Sequence, residues 1–183
     1  MIRLGGNAMA FELDSVVRSL ARTPHVLQAL LGGLPEPRAR LDYGPATFSP
    51  YDVVGHLIHG EYTDWIPRAR ILLEHGEARP FEPFDRFAMR ETDQAIPFDD
   101  LLAKFDSLRA DNLATLQHWQ LEPEQLDRTG RHPELGRVTL RQLLASWVVH
   151  DLDHTRQLAE ALAHHYVDDV GPWQPYLPIL SAN

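Results

Sequence analysis

The sequence predicts an all-α fold, an up-down four-helix bundle followed by an irregular C-terminal tail. Four long stretches keep the helical spacing of apolar residues, and loops rich in Pro and Gly separate them. No stretch shows the apolar–polar alternation of a strand, and four helices of this length pack as a bundle. The 183 residues fit one domain. A chain above ~150 residues buries roughly two-thirds of its unfolded surface, enough for a core without disulfides or structural metals. The expected division is a flexible leader over 1–10 (or a true start at Met9), the bundle over 11–165, and a tail rich in Pro and aromatic residues over 166–183.

The first helix is expected from about Phe11 to Leu31, with a break and restart where Thr23 offers an N-cap and Pro24 a first-turn proline, and a stop at Gly32-Gly33. The second starts sharply: Ser49 caps, Pro50 takes the first helical position, and Asp52 completes a capping box. It runs to about Glu74, and Pro67 should kink it. Ala78 to Ile96 reads as a polar, proline-bearing connection that is helical in part. The third helix spans about Pro97 to Trp119, with Leu101, Leu102, Phe105, Leu108, Leu113 and Leu116 on its apolar face. Leu121 to Val138 reads as a loop. Thr139 and Gln142 form a second capping box for the fourth helix, which runs to about His164. The tail, Gly171 to Asn183, combines three prolines with Trp173, Tyr176, Leu177, Ile179 and Leu180, and is expected to dock on the bundle or on a partner subunit.

Composition removes several function classes. A formal net charge of −9 argues against a nucleic-acid binder and against an anionic membrane surface. No apolar run approaches the ~20 residues that span a bilayer, and the N-terminus lacks signal-peptide features. The absence of cysteine excludes disulfides, thiolate metal sites and a cysteine nucleophile. A cytoplasmic location is the resulting expectation.

The chemistry lies in the histidines. His150 and His154 are four residues apart on the fourth helix, which places two imidazoles one turn apart on one face, the spacing that chelates a metal. With 10 histidines in the chain, chance supplies about half such a pair, so spacing alone is weak. The helix wheel adds to it: Leu140, Leu143, Trp147 and Leu158 form a core-facing stripe, with His154 inside it and His150 at its edge. Two buried imidazoles need partners, since each unsatisfied polar group costs roughly 1–3 kcal/mol. A shared metal or hydrogen bonds to carboxylates or water would supply them. His56 on the second helix is the best third ligand, beside the small Gly60 and Thr63. Asp52, one turn earlier, is a candidate to fix its tautomer. His59 is read as a half-exposed surface residue, His164 and His165 as partners of the helix dipole, and His25, His75, His118 and His132 as structural or exposed. Arg68, Arg86 and Arg90 are candidate anion binders, with a solvated surface as the blander reading.

These residues resemble the DinB-like superfamily, the damage-inducible or YfiT-like bundle proteins. Thr23-Pro24 and the leucines after it are similar to the family's first helix. Phe48-Ser49-Pro50, Val54-Gly55-His56-Leu57, Glu61 and Trp65 resemble its second. Val138-Thr139-Leu140-Arg141-Gln142-Leu143-Leu144 with Trp147, His150, Asp151, His154 and Gln157 resembles its fourth. The resemblance covers about residues 10 to 165 and implies a bundle holding one divalent metal ion on His56, His150 and His154. Zinc or nickel is first in line, with iron or manganese as alternatives. It further implies a metal-dependent transferase or isomerase acting with a low-molecular-weight thiol that a cosubstrate must bring. A small-molecule substrate and a homodimer belong to the same expectation, with Asp52 and Asp151 as weak candidates for proton handling. A metal-dependent hydrolase and a non-enzymatic metal-binding stress protein are the alternatives. The second catalytic domain found beside such bundles in ergothioneine-forming enzymes has no counterpart in this length.

Overall fold

The structure, a computed structural model, describes residues 10–45, 47–92 and 95–181. The leader expected over 1–10 lies outside these residues apart from Ala10. Four long helical units form a bundle: α1 (Leu13–Leu31), α3 (Pro50–Thr63) continued by α4 (Trp65–Glu74), α6 (Phe98–His118) and α8 (Leu140–His164). Single-turn helices α2 (Glu36–Ala39), α5 (Met89–Thr92) and α7 (Pro123–Leu126) lie in the connections. α6 packs between α1 and α3, and α8 closes the ring against α1 and α3. The consecutive helices α1 and α3 therefore face each other across the bundle, and the Gly32 to Ser49 connection crosses its end instead of closing a short hairpin. That ring order refines the expected up-down arrangement.

Both capping boxes are present. Ser49 Oγ accepts from the Asp52 backbone N–H at 3.1 Å, and Thr139 Oγ1 accepts from that of Gln142 at 3.2 Å. Pro67 breaks the second helical unit instead of kinking it. Its ring clashes with the carbonyl four residues back, that of Thr63, and the chain turns at Asp64 (φ −107, ψ −73) before α4 begins. Pro67 thus falls in the first turn of α4, where a missing N–H costs little.

Three expectations are corrected. α1 does not stop at Thr23-Pro24; it runs through Pro24, and the Thr23 hydroxyl donates to Asp151 Oδ2 at 2.6 Å instead of capping. The loop expected over Leu121 to Val138 contains an antiparallel hairpin, β1 (Thr129–His132) with β2 (Gly136–Thr139), and the short helix α7. Four-residue strands with two arginines carry no usable alternation. Gly130 sits in β1 because a Cβ there would meet Leu72 Cδ2 at 2.6 Å. The tail is not wholly irregular either: two 3₁₀ segments, Gly171–Tyr176 and Pro178–Leu180, bring Leu180 into a buried position while Trp173 and Tyr176 stay exposed.

The core falls into two apolar halves. One is built around Leu20, Trp65, Leu113 and Trp147, the other around Leu27, Leu57, Phe105 and Leu158. Between them in sequence, on every long helix, stands a polar residue: Thr23 on α1, Glu61 on α3, Arg109 on α6 and Asp151 on α8, all buried.

Candidate metal centre

α3 and α8 bring His56, His150 and His154 together. His150 Nε2 lies 3.2 Å from His56 Nε2 and 3.0 Å from His154 Nε2, and one ligand atom from each ring falls within 4.8 Å of the others. Nitrogens bound 2.0–2.1 Å from one tetrahedral ion would stand about 3.3 Å apart. His56 and His154 are buried; His150 is half-buried and meets Trp65 in a T-shaped contact with centroids 5.0 Å apart. Phe84 meets His56 edge-on at 5.4 Å, and Phe48 stands 5.9 Å away.

Proton counting defines what this cluster presents. His56 Nδ1 faces the Arg86 carbonyl at 3.2 Å, and a carbonyl only accepts, so that nitrogen carries the proton and Nε2 a lone pair. His154 Nδ1 donates in the same way to Gln157 Oε1 at 2.7 Å, which leaves its Nε2 a lone pair as well. His150 Nδ1 is buried and has no hydrogen-bond partner among the described residues. Whichever nitrogen of His150 is protonated, its Nε2 can donate to at most one of the two lone pairs it faces. At least one pair of acceptors therefore meets with no proton between them, an arrangement that a cation resolves.

The rings are also held in the form a cation needs. Burial pushes His56 down to about 4, with His154 adding to the shift. Burial, together with the two neighbouring rings, pushes His150 down to about 2. Burial lowers His154 too, against the raising effect of the Gln157 bond. All three imidazoles are neutral near pH 7. Three convergent neutral Nε2 atoms, with two of the opposing Nδ1 protons engaged, fit a divalent ion with a position left open.

The other candidates are placed elsewhere. Asp52 does not orient His56: its carboxylate closes the Ser49 cap and pairs with Arg90 at 3.4 Å. Asp151 is neither at the rings nor in solvent. It is buried, with Oδ2 2.6 Å from Arg109 Nη1 and accepting from Thr23. Arg68 is buried against Asp64 at 2.6 Å, while Arg86 lies exposed over the rings of Phe48 and Phe87. His59 is half-buried against Phe84, as expected; His132 is half-buried on the hairpin.

Sequence reasoning missed the network beneath the site. Arg109 donates to Glu61 Oε1 from Nε and Nη2, to Asp151, and to the Leu20 carbonyl at 2.9 Å, while Asn112 Nδ2 donates to Glu61 Oε2 at 2.8 Å. The Arg109 guanidinium also lies over Trp147 at 5.0 Å. The one available signal was Arg109 itself, a charged residue on the apolar stripe of its helix between Phe105 and Leu113.

Comparison with known proteins agrees with this architecture. The family model described as the DinB superfamily matches residues 19–158. A protein of Bacillus cereus that bears the provisional name of metal-dependent hydrolase is 25% identical over 148 residues, which span 80% of this chain and 83% of that one. A Bacillus mycoides protein under the same provisional name is 24% identical over 148 residues, with the same coverage. YfiT of Bacillus subtilis, described as a probable metal-dependent hydrolase with an unusual four-helix bundle topology, superposes with a TM-score of 0.72 at 21% identity, over 90% of this chain and 93% of its own.

Proposed function

This chain belongs to the DinB superfamily, and from that premise we propose that His56, His150 and His154 hold one divalent metal ion at the centre of a metal-dependent enzyme of hydrolase type acting on a small molecule. The observation that carries the reading is the meeting of three Nε2 atoms at separations of 3.0 and 3.2 Å, two of them on rings whose Nδ1 faces an oxygen acceptor. The names of the Bacillus relatives support the hydrolase class. Bound there, a divalent ion supplies Lewis acidity at the position the protein leaves open. The chain's own residues do the rest: the Arg86 carbonyl and Gln157 fix two ring tautomers, and Trp65, Phe48 and Phe84 surround the rings with apolar surface that limits water. Zinc or nickel suits three imidazoles, with iron or manganese as alternatives.

A second reading, transfer or isomerisation with a low-molecular-weight thiol, has one observation in its favour. Among the described residues no carboxylate joins the three rings, and Asp52 and Asp151 are committed to other partners. A thiol nucleophile, more acidic than water, has less need of a protein base. A homodimer and a cytoplasmic location complete the proposal.

Elemental analysis of tag-free protein tests it. About one metal ion per chain is expected, lost in His56→Ala/His150→Ala with helix content unchanged by circular dichroism. A native protein that takes up none of zinc, nickel, iron and manganese overturns the metal reading. Turnover of simple esters or amides by the loaded protein without thiol supports the hydrolase, turnover only with added thiol the transferase. Neither would leave the non-enzymatic metal-binding protein.

A further inference from the structure

Arg86 is tied to the three-histidine cluster through its backbone and stands beside it with its side chain. Its carbonyl accepts from His56 Nδ1 at 3.2 Å, which pins the chain at the edge of the cluster. Its guanidinium carbon lies 5.8 Å from the ring centre of Phe48 and 5.2 Å from that of Phe87. Phe48 in turn stands 5.9 Å from the His56 ring. One backbone contact and one shared aromatic wall therefore hold this cation close to the liganding rings. Its field reaches them: burial is the main reason that His56 and His154 stay neutral, and the Arg86 guanidinium also disfavours the charged form of each.

The Arg86 guanidinium makes no ion pair or hydrogen bond among the described residues. The carboxylates nearest to it in sequence and space have other partners. Asp85 turns back to accept from the Phe87 N–H at 2.9 Å. Asp52 pairs at 3.4 Å with Arg90, which lies over the same two phenyl rings at 5.5 and 5.3 Å. A guanidinium over aromatic faces keeps its N–H edge available, and that planar fork matches a carboxylate with two parallel hydrogen bonds. The liganding set adds charge of the same sign. It consists of three neutral rings, and among the described residues no carboxylate joins them, so a divalent ion held there keeps its whole charge. On a chain of net charge −9 an anion is drawn only where local charge outweighs the total, and this is such a place.

We propose that the small molecule acted on at the three-histidine centre carries a carboxylate, and that the Arg86 side chain binds it while the reacting group takes the open position at the ion. The proposal rests on the metal reading above and names its substrate class. Phe48, which neighbours both the guanidinium and the His56 ring, gives the carbon skeleton between the two charges an apolar wall.

The test reads binding, not turnover. The full chain, loaded with the divalent ion it retains, is titrated by calorimetry with mercaptopropionate and its amide, then with mercaptobutyrate and its amide to cover a longer span. Each probe offers the ion a thiolate, and only the acids offer Arg86 an anion. At least one acid should bind roughly tenfold more tightly than its amide, the scale of a hydrogen bond to a charged group. The preference should vanish in Arg86→Gln and survive in part in Arg86→Lys, which restores the charge without the fork. Arg86→Lys, with a weakened preference expected, is the second variant if the first fails to fold. Chelation of the ion by the probe's own carboxylate would persist in both variants. Undiminished preference in the folded variants, or equal binding of acid and amide by the loaded wild type in both pairs, therefore overturns this proposal alone. Both substitutions keep the backbone carbonyl that His56 uses, so metal content, measured on the same samples, should be unchanged. A wild type that takes up no divalent ion overturns the metal reading and this proposal with it.

Discussion

Gln157 does for His154 what the Arg86 carbonyl does for His56: each accepts the Nδ1 proton and so leaves Nε2 a free lone pair. Gln157→Leu keeps the volume and removes the acceptor. Metal affinity should fall about 10- to 100-fold, the usual cost of losing a partner of a liganding histidine, in a competition titration with a zinc chelator. Unchanged affinity would mean that the bond does not hold the ring. At this scale the sequence was only partly legible. His150 and His154 could be read from their spacing and wheel position, and His56 from its helix. The Arg86 carbonyl could not, because every residue carries one and only the fold brings this one to His56. Asp52 and Asp151 drew attention by proximity along the helix, but a cap and a buried arginine claim them first.

Among the helices, the consequences of one proline travel furthest. Pro24 has no N–H to give the carbonyl of Leu20, four residues back. In α1 that carbonyl is taken by Arg109 of α6, which also grips Glu61 of α3 and Asp151 of α8, so one guanidinium ties all four helical units together. Burial alone would raise the Glu61 carboxyl; Arg109 is the largest influence that opposes it, and desolvation of the guanidinium is in turn offset by Asp151 and Glu61. Arg109→Met would leave two buried carboxylates without their cation and should cost about 3–5 kcal/mol in urea unfolding, the range for breaking a buried ion pair from one side. A loss below about 1 kcal/mol, the level of an exposed pair, would show that the network is not a stabilising tie. Elements with strong local signals, the two capping boxes and the long apolar stripes, were legible in the sequence. The hairpin was not, since its pairing rests on a close approach to Leu72 that allows only Gly130 and on a left-handed turn at Gly136 (φ 73), both set by tertiary contact.

Across the whole molecule, the polar waist separates two apolar halves and the three-histidine cluster lies on α3 and α8, so the rings are positioned by the same α3–α8 packing that the Arg109 tie secures. The four-helix class followed from helix number and loop composition. The ring order did not, because it depends on which long connection crosses the bundle, and loop composition is silent on that. Among the described residues one apolar face stands open: Val26 of α1 and Leu152 of α8 line a groove of about 220 Å³, and Val149 stands three residues before Leu152, it and Leu152 each 64% exposed. Single exposed valines and leucines are ordinary, but three on adjoining helices beside a groove suit a two-fold interface, in which each copy presents the same patch to the other. A stable interface needs about 800 Å² per partner, so the patch must recruit its polar rim as well. Sedimentation of the wild type should therefore give a dimer, and Val149→Glu/Leu152→Glu, which sets two charges per subunit against their symmetry mates, should give a monomer with unchanged helix content and metal uptake. A monomeric wild type, or a double variant that still dimerises, would remove this face from consideration and leave the exposed Trp173 and Tyr176 of the tail as the apolar surface to test next.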